Sequence, residues 1–570
     1  MHRAMVSFAP FISLVVLALG CGPQLSGGPE RNDSARSTGV KRIVAAVQDD
    51  IPMVYQKLNP SSRFRGVDGV QDLVAAGLTQ ANRSGESIAE LAEASPSVEN
   101  GLWILAPDGT MELTWHIKPG ARWHDGVPFT ADDLVFTLQV MRDPDLPIFG
   151  DAAYNFISGI MALDPQTVTV SWNRPFIHAD WLFSTQLALP IAKHALEPAY
   201  RERKAGFTDE PYWGQEYVGA GPYKLKEWQL GSHLVVSAFD GFVLGRPKVD
   251  EIEVRFIPDD ETLAANLLAG SVEVVLGRSI SGPQAGQIVD AWRGAGHMDL
   301  QYSSWVALYP QFIDPNPPIM LNLQFRQAVL QAIDRQQLVD ELLPGQSSVA
   351  DSWLLPGQPQ YKEIEARAVT HYPYDPRKAA ELLAGLGYTR GSDGALMDRS
   401  GKPLVIEIRT TAGDDLREKI LLASLDDWKQ VGLTGTPVLV PRQQAQDLPY
   451  RATFPGFELN RNPPDERGLP NLQIARIPLP ENEFRVTGNR SRYRNADLDS
   501  LVERYFTTIP TTERMGVMGQ IVKHVSENLV ILPIFYDAAP TLISNRLVNV
   551  GAGGSNGTQA WNAYEWDTKG

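Results

Sequence analysis

Leu113–Met141 reads LTWHIKPGARWHDGVPFTADDLVFTLQVM. Its first part alternates as a strand does, with Leu113, Trp115 and Ile117 on one face and Thr114, His116 and Lys118 on the other. Pro119-Gly120 breaks the strand, and Asp125-Gly126 is a tight-turn dipeptide. Thr130-Ala-Asp-Asp133 then opens a helix. Thr130 caps it, Asp133 answers three residues later, and both acids suit the positive helix end. Leu134, Val135, Leu138 and Met141 follow at helical spacing. Trp123, Asp125 and Gly126 read as residues that hold the turn.

Toward the N-terminus, Met1–Cys21 reads as an export signal. His2 and Arg3 form a short positive region, and Val6–Leu19 is an apolar run short for a mature membrane helix. The run ends Leu17-Ala-Leu-Gly-Cys21, which resembles a bacterial lipobox with Ala18 where Leu is usual. There the cysteine is lipidated and becomes the first mature residue. Cys21 is the only cysteine in the chain, which excludes an intramolecular disulfide. Once acylated, it leaves no thiol for catalysis or a metal site. Gly22–Lys41 is rich in Gly, Ser, Arg and Asn and reads as a flexible tether. No later segment is long and apolar enough to span a bilayer.

The chain has 570 residues, 43% of them hydrophobic and 9% aromatic, which is globular composition able to bury a sizeable core. The net charge of −16 argues against nucleic acid or an anionic bilayer surface as the main partner. The nine histidines never show the spacing of a zinc helix. No Gly-x-Ser-x-Gly elbow and no P-loop occurs. Gly551-Ala-Gly-Gly-Ser-Asn-Gly557 lacks the strand–turn–helix setting of a nucleotide loop. No catalytic group, metal site or cofactor is read from these residues.

The Leu113–Met141 string closely resembles the signature of the peptide/nickel family, family 5, of extracytoplasmic solute-binding proteins. Four further stretches match that family at suitable places: Tyr217–Glu227 (YVGAGPYKLKE), Phe325–Leu338 (FRQAVLQAIDRQQL), Asp375–Tyr388 (DPRKAAELLAGLGY) and Gly488–Val502 (GNRSRYRNADLDSLV). The resemblance implies an α/β, two-lobed periplasmic-binding-protein fold of class II, cluster C type, with an additional domain. Its implied layout is 1–21 signal peptide and 22–41 tether. Domain I is 42–70, 211–304 and 537–570, domain II is 71–210, and domain III is 305–536. Within these, Phe325–Leu338 is expected as one helix. Asp375 should cap the next, and Asp414–Val431 should be an amphipathic helix ended by Gly432.

The resemblance also points to ligand-binding positions. Arg63, Phe64 and Arg65 lie in the loop after the first strand; they either clamp an anionic group or form a solvated basic loop. Phe149 and Tyr154 fall in a loop that reaches the ligand from the second domain in relatives. Trp305 and Tyr309 lie on the strand crossing into domain III, and Tyr536 on the strand returning from it. Arg461 matches a cleft arginine of peptide-binding relatives. Just beyond it the chain departs from them. Their tryptophan position falls on Pro464, and the aspartate that pairs with a peptide α-amine falls on Arg467. A cation cannot pair with an ammonium, so Asp465 or Glu466 would have to substitute after a small loop shift.

The function so implied is that of a substrate-binding lipoprotein of an ABC importer. It would capture a peptide or similar small solute between its lobes and deliver it to membrane permease subunits. It would not be an enzyme, would need no cofactor, and would work as a monomer. The lipid on Cys21 would hold it outside the cytoplasm at a membrane. The alternatives are a hydrolase, or a sensor or chaperone, on the same frame. Sugars, opines or a nickel chelate stand as other ligands.

Overall fold

The alternation in the quoted stretch is realised as strand Met111–His116. Leu113 and Trp115 are fully buried, and Ile117 and Trp123 join the same apolar core. Asp125 turns the chain by accepting the Val127 N–H at 3.1 Å, while Gly126 takes a φ of 92° that favours glycine. Helix Ala131–Met141 starts where expected. The Thr130 N–H and hydroxyl donate to Asp133 Oδ2 at 2.9 and 3.2 Å. The other Asp133 oxygen accepts the Lys193 N–H at 3.0 Å. One carboxylate therefore ties this helix to the start of helix Lys193–Glu202.

The computed structural model describes residues 39–55, 58, 66–146, 148, 151–277, 280–356, 358, 361–441, 443–444, 447–462, 466–486, 488–554 and 557–569. Cys21, Arg63, Phe64, Arg65, Phe149 and Asp465 lie outside the described residues. No described helix is long and apolar enough to cross a membrane.

Two large sheets organise the chain from Lys41 onward. A four-stranded antiparallel sheet runs Trp103–Leu105, Met111–His116, Thr167–Trp172, Ile157–Asp164. A ten-stranded mixed sheet runs Thr434–Val440, Val405–Thr411, Phe457–Asn462, Gly296–Pro310, Leu532–Ser544, Val274–Val275, Arg42–Val47, Glu251–Phe256, His233–Ala238, Tyr223–Gln229. Its two longest strands, Gly296–Pro310 and Leu532–Ser544, pair antiparallel near its middle. Trp305 and Tyr309 lie on the first of these strands and Tyr536 on the second. Strands assigned from the sequence to domains I and III thus share one hydrogen-bonded sheet.

The chain enters strand Tyr223–Gln229 of this sheet just after Gly219 and Gly221, which lie against Val74 and Ala75. A Cβ on Gly219 would sit 1.9 Å from the Val74 carbonyl oxygen. Only glycine allows that backbone approach, which is why the YVGAGPY string needs both.

Two helix expectations hold and one is corrected. Asp375 caps helix Pro376–Gly385 by accepting the Lys378 N–H at 2.9 Å. Asp414 caps helix Asp415–Gln430, whose Trp428 is fully buried. The expected single helix Phe325–Leu338 is instead two, Leu323–Gln331 and Arg335–Leu342. Asp334 caps the second by accepting the Gln337 N–H at 2.9 Å. Arg335, 5% exposed, then reaches the carbonyls of Ala350, Pro533 and Tyr372. Satisfying that buried guanidinium outweighs one continuous run of helical hydrogen bonds.

Candidate functional site

The strand trio Phe457–Asn462, Gly296–Pro310 and Leu532–Ser544 has apolar cores on both faces. Successive side chains point to opposite faces of a strand, and the register decides which residues share one. Trp305 pairs with Asn462 and with Tyr536, whereas Val306 pairs with Arg461 and Phe535. Val306, Leu308, Ile534 and Phe535 pack with helices Leu323–Gln331 and Asp415–Gln430. Trp305, Tyr309 and Tyr536 face the other way, into the core that also contains Leu113, Trp115 and Trp123.

On that second face lies a cavity of about 30 Å³ lined by Trp305, Tyr309, Trp353, Asn462, Leu469 and Leu472, among others. Trp305 and Trp353 hold their ring centroids 6.5 Å apart at 46°. Tyr536 is fully buried beneath and donates its hydroxyl to the Leu354 carbonyl at 2.7 Å. That bond fixes the backbone next to Trp353. Burial pushes the hydroxyls of Tyr309 and Tyr536 well above their ordinary value, so both stay neutral donors. Trp353 Nε1 and Asn462 Nδ2 are buried donors with no hydrogen-bond partner among the described residues. An unsatisfied buried donor costs about 1–3 kcal/mol. Two such donors beside one aromatic cavity suit an incoming acceptor, such as a carbonyl or carboxylate oxygen.

Helical turn Glu466–Leu472 supplies Leu469 and Leu472 to the cavity wall. Its first residue, Glu466, stands 3.4 Å from His178 Nε2, in the segment that follows strand Thr167–Trp172. That contact joins the turn behind the cavity wall to the segment after strand Thr167–Trp172. Arg467, next to Glu466, is exposed.

The structure brings together Trp305, Tyr309 and Tyr536 of the residues expected from the sequence, and it separates Arg461 from them. Arg461 lies on the opposite face. Its Nε is 2.6 Å from Asp537, and its other nitrogen pairs with Asp414. Asp414 also takes Arg417 Nε at 3.0 Å. Arg461 lines a separate cavity of about 570 Å³ with Ser281, Lys419 and Asp537. Tyr154 is 4% exposed, in the core of the second domain, hydrogen-bonded to the Ala188 backbone. Trp353 and Asn462 were not singled out from the sequence. Trp353 stands in Asp351-Ser-Trp-Leu-Leu-Pro356, which has no periodicity to mark it, and Asn462 is marked only by its place beside Arg461.

The sequence model of the bacterial extracellular solute-binding proteins, family 5, matches residues 96–466. The oligopeptide-binding protein AppA of Bacillus subtilis is 26% identical over 412 residues, spanning 70% of this chain and 70% of that one. Among solved structures, the ABC transporter substrate-binding protein CtaP of Listeria monocytogenes aligns with a TM-score of 0.72 and 20% identity. That alignment covers 93% of this chain and 99% of CtaP. NikZ of Campylobacter jejuni, solved with Ni(L-His), aligns with a TM-score of 0.65 and 21% identity, over 93% of this chain and 99% of NikZ. The fold held in common is the mixed α/β, two-lobed solute-binding fold with an additional domain.

Proposed function

Because the chain belongs to the bacterial extracellular solute-binding proteins of family 5, binders rather than enzymes, we propose that it captures a peptide or similar small solute for an ABC importer. The ligand is held between the lobes, against Trp305, Tyr309 and Trp353. The observation that carries this reading is the pair of unsatisfied donors, Trp353 Nε1 and Asn462 Nδ2, beside that cavity. Tyr536 positions Trp353, and Tyr154 supports the second lobe from within. Arg467 stands at the rim as a ligand contact, and Arg63, Phe64, Arg65, Phe149 and Asp465 remain proposed contacts from the adjoining loops. AppA is named for oligopeptides, and NikZ was solved with a nickel–histidine chelate; either ligand offers the oxygen acceptors that the two donors lack.

Closure follows from differential affinity. A solute that touches both lobes stabilises the closed arrangement, and that arrangement is the one presented to permease subunits. Domain boundaries near 70, 210, 304 and 536 would let the second domain swing against the shared sheet. Native mass spectrometry of the protein purified from its own host tests the reading. A co-purified solute that quenches or shifts tryptophan fluorescence is the expected result. A ligand-free protein that no peptide or chelate perturbs would overturn it.

A lipid on Cys21 would keep the binder beside its permease, with 22–41 as the tether. The Cys21→Ser protein should leave the detergent phase that retains the wild type. A mature protein whose mass includes residues before Cys21 would refute the anchor.

A further inference from the structure

A second pocket lies on the same sheet face as Trp305 and Tyr309, farther toward the sheet edge. It encloses about 300 Å³ and is lined by four arginines: Arg409, Arg417, Arg451 and Arg490. Among the described residues Glu458 is the only carboxylate in its wall, beside Thr411, Val440, Tyr450 and Asn460.

Topology explains why a pocket opens there. Strand Val405–Thr411 runs parallel to Thr434–Val440 on one side and to Phe457–Asn462 on the other. From Val405–Thr411 the chain leaves through helix Asp415–Gln430, which packs into the core of Val306 and Phe535. From Phe457–Asn462 it leaves through Glu466–Leu472, which packs on the opposite face beside Trp305. Neighbouring parallel strands whose exits part to opposite faces leave a crevice at their carboxyl ends, where open α/β sheets bind ligands. Arg417, in the first turn of helix Asp415–Gln430, reaches into it.

The arginines are held in place, and their charges are incompletely matched. Arg409 is 3% exposed and donates to the Tyr450 carbonyl at 3.0 Å. Its guanidinium lies 5.0 Å from the Tyr450 ring centre and 4.8 Å from that of Phe454. Arg417 bridges Asp414 at 3.0 Å and Asn460 at 3.2 Å. Arg490 pairs with Glu458 at 2.8 Å, and its buried Nε has no partner among the described residues. Glu458 and Asp414 thus answer Arg490 and Arg417, and Asp414 is shared with Arg461. Glu407, two residues before Arg409 on the same strand, also interacts with it electrostatically. No ion pair to Arg409 or Arg451 is found among the described residues. Like cations gathered around an enclosed polar space repel one another unless an anion joins them.

We propose that this crevice is an oxyanion site that takes a carboxylate, sulfate or phosphate group of the captured solute. Arg451 and Arg417 bind at its mouth, and Arg409 and Arg490 at its floor. The inference deepens the solute-capture reading and rests on it. The Arg490 guanidinium lies 5.9 Å from the Tyr309 ring centre, so the crevice and the aromatic cavity are adjacent. A solute with an uncharged body and an anionic group could fill both.

Titration calorimetry of the full-length protein with inorganic phosphate tests the site alone. Wild type should show saturable binding with a Kd of roughly millimolar strength. Arg451→Gln and Arg417→Gln should each weaken it about tenfold or more, one charge-assisted hydrogen bond being lost. Arg451 is exposed, so the first variant stays folded, as its melting curve would verify. Arg367→Gln, at an exposed arginine paired with Glu363 outside the crevice, should bind as wild type does. Equal binding by all four proteins, or none by wild type, overturns the site. The co-purified solute separates the two readings. If Arg451→Gln holds it as tightly as wild type, the oxyanion site falls and solute capture stands. If nothing co-purifies and no peptide or chelate perturbs the protein while phosphate binding depends on the arginines, the site stands and the solute reading falls.

Discussion

Trp305 and Val306 are neighbours in sequence, as are Asn462 and Arg461, and Tyr536 and Asp537; each pair divides between two faces of one sheet. The face of Trp305, Asn462 and Tyr536 carries aromatic rings, a small cavity and buried donors without partners. The face of Val306, Arg461 and Asp537 ends in an ionic network in which Arg461 has both Asp414 and Asp537. One face is left incomplete, and the other is electrostatically closed. A binding surface needs unsatisfied groups that a ligand can complete, whereas a structural surface gains nothing from leaving them open.

Substitutions on the two faces should therefore separate binding from stability. Trp305→Ala should have the largest effect, lowering unfolding stability by about 3–5 kcal/mol through loss of a buried indole. It should also abolish solute binding. Urea unfolding with a ligand titration would read both, and intact binding would remove Trp305 from the site.

Asp414→Asn should come next, at about 1–3 kcal/mol, because it leaves Arg461 and Arg417 undercompensated. Binding of a solute without an anionic group should hold, because Asp414 does not line the aromatic cavity. Burial raises the Asp414 carboxyl, but the charges of Arg461 and Arg417 and the Arg417 hydrogen bonds outweigh it and hold it below the usual range. A depressed carboxylate stabilises the fold fully above its unfolded value, about pH 4, and loses that contribution as pH falls through its folded value. The gap between variant and wild type should thus close in acid. A gap that persists well below pH 3 would show that packing, not charge, is at stake.

Asn462→Leu sharpens the contrast in the opposite sense. Removing an unpaired buried donor should leave stability unchanged or raise it by about 1 kcal/mol. Solute affinity should fall roughly tenfold. Loss of stability instead would mean that the Asn462 amide is satisfied in the empty protein.

Glu466→Gln should have the smallest effect on stability, within about 1 kcal/mol, since its pair with His178 is partly exposed. What should change is closure. Small-angle scattering should show ligand-bound wild type more compact than ligand-bound Glu466→Gln. Identical profiles would assign the pair no part in holding the lobes.

Local chemistry was legible in the chain itself. Thr130 and Asp133 start a helix, Asp375 and Asp414 cap two more, and Gly219 and Gly221 permit a close crossing. Each depends on residues a few positions apart, so spacing alone identifies it. The spaced resemblances extended this to the family and the fold, and they named Trp305, Tyr309 and Tyr536, which the structure gathers on one sheet face. Where Arg461 points was beyond them. Period-two alternation says that Arg461 and Asn462 part company, but not which shares a face with Trp305, because both faces of this sheet are buried under different cores. Only the register of three strands distant in sequence decided that. Tertiary structure alone also gathered Trp353, Asn462 and Leu469 around one cavity, and Arg409, Arg417, Arg451 and Arg490 around another. Those residues come from separate strands, helices and loops, and no local spacing carries a contact made across a sheet.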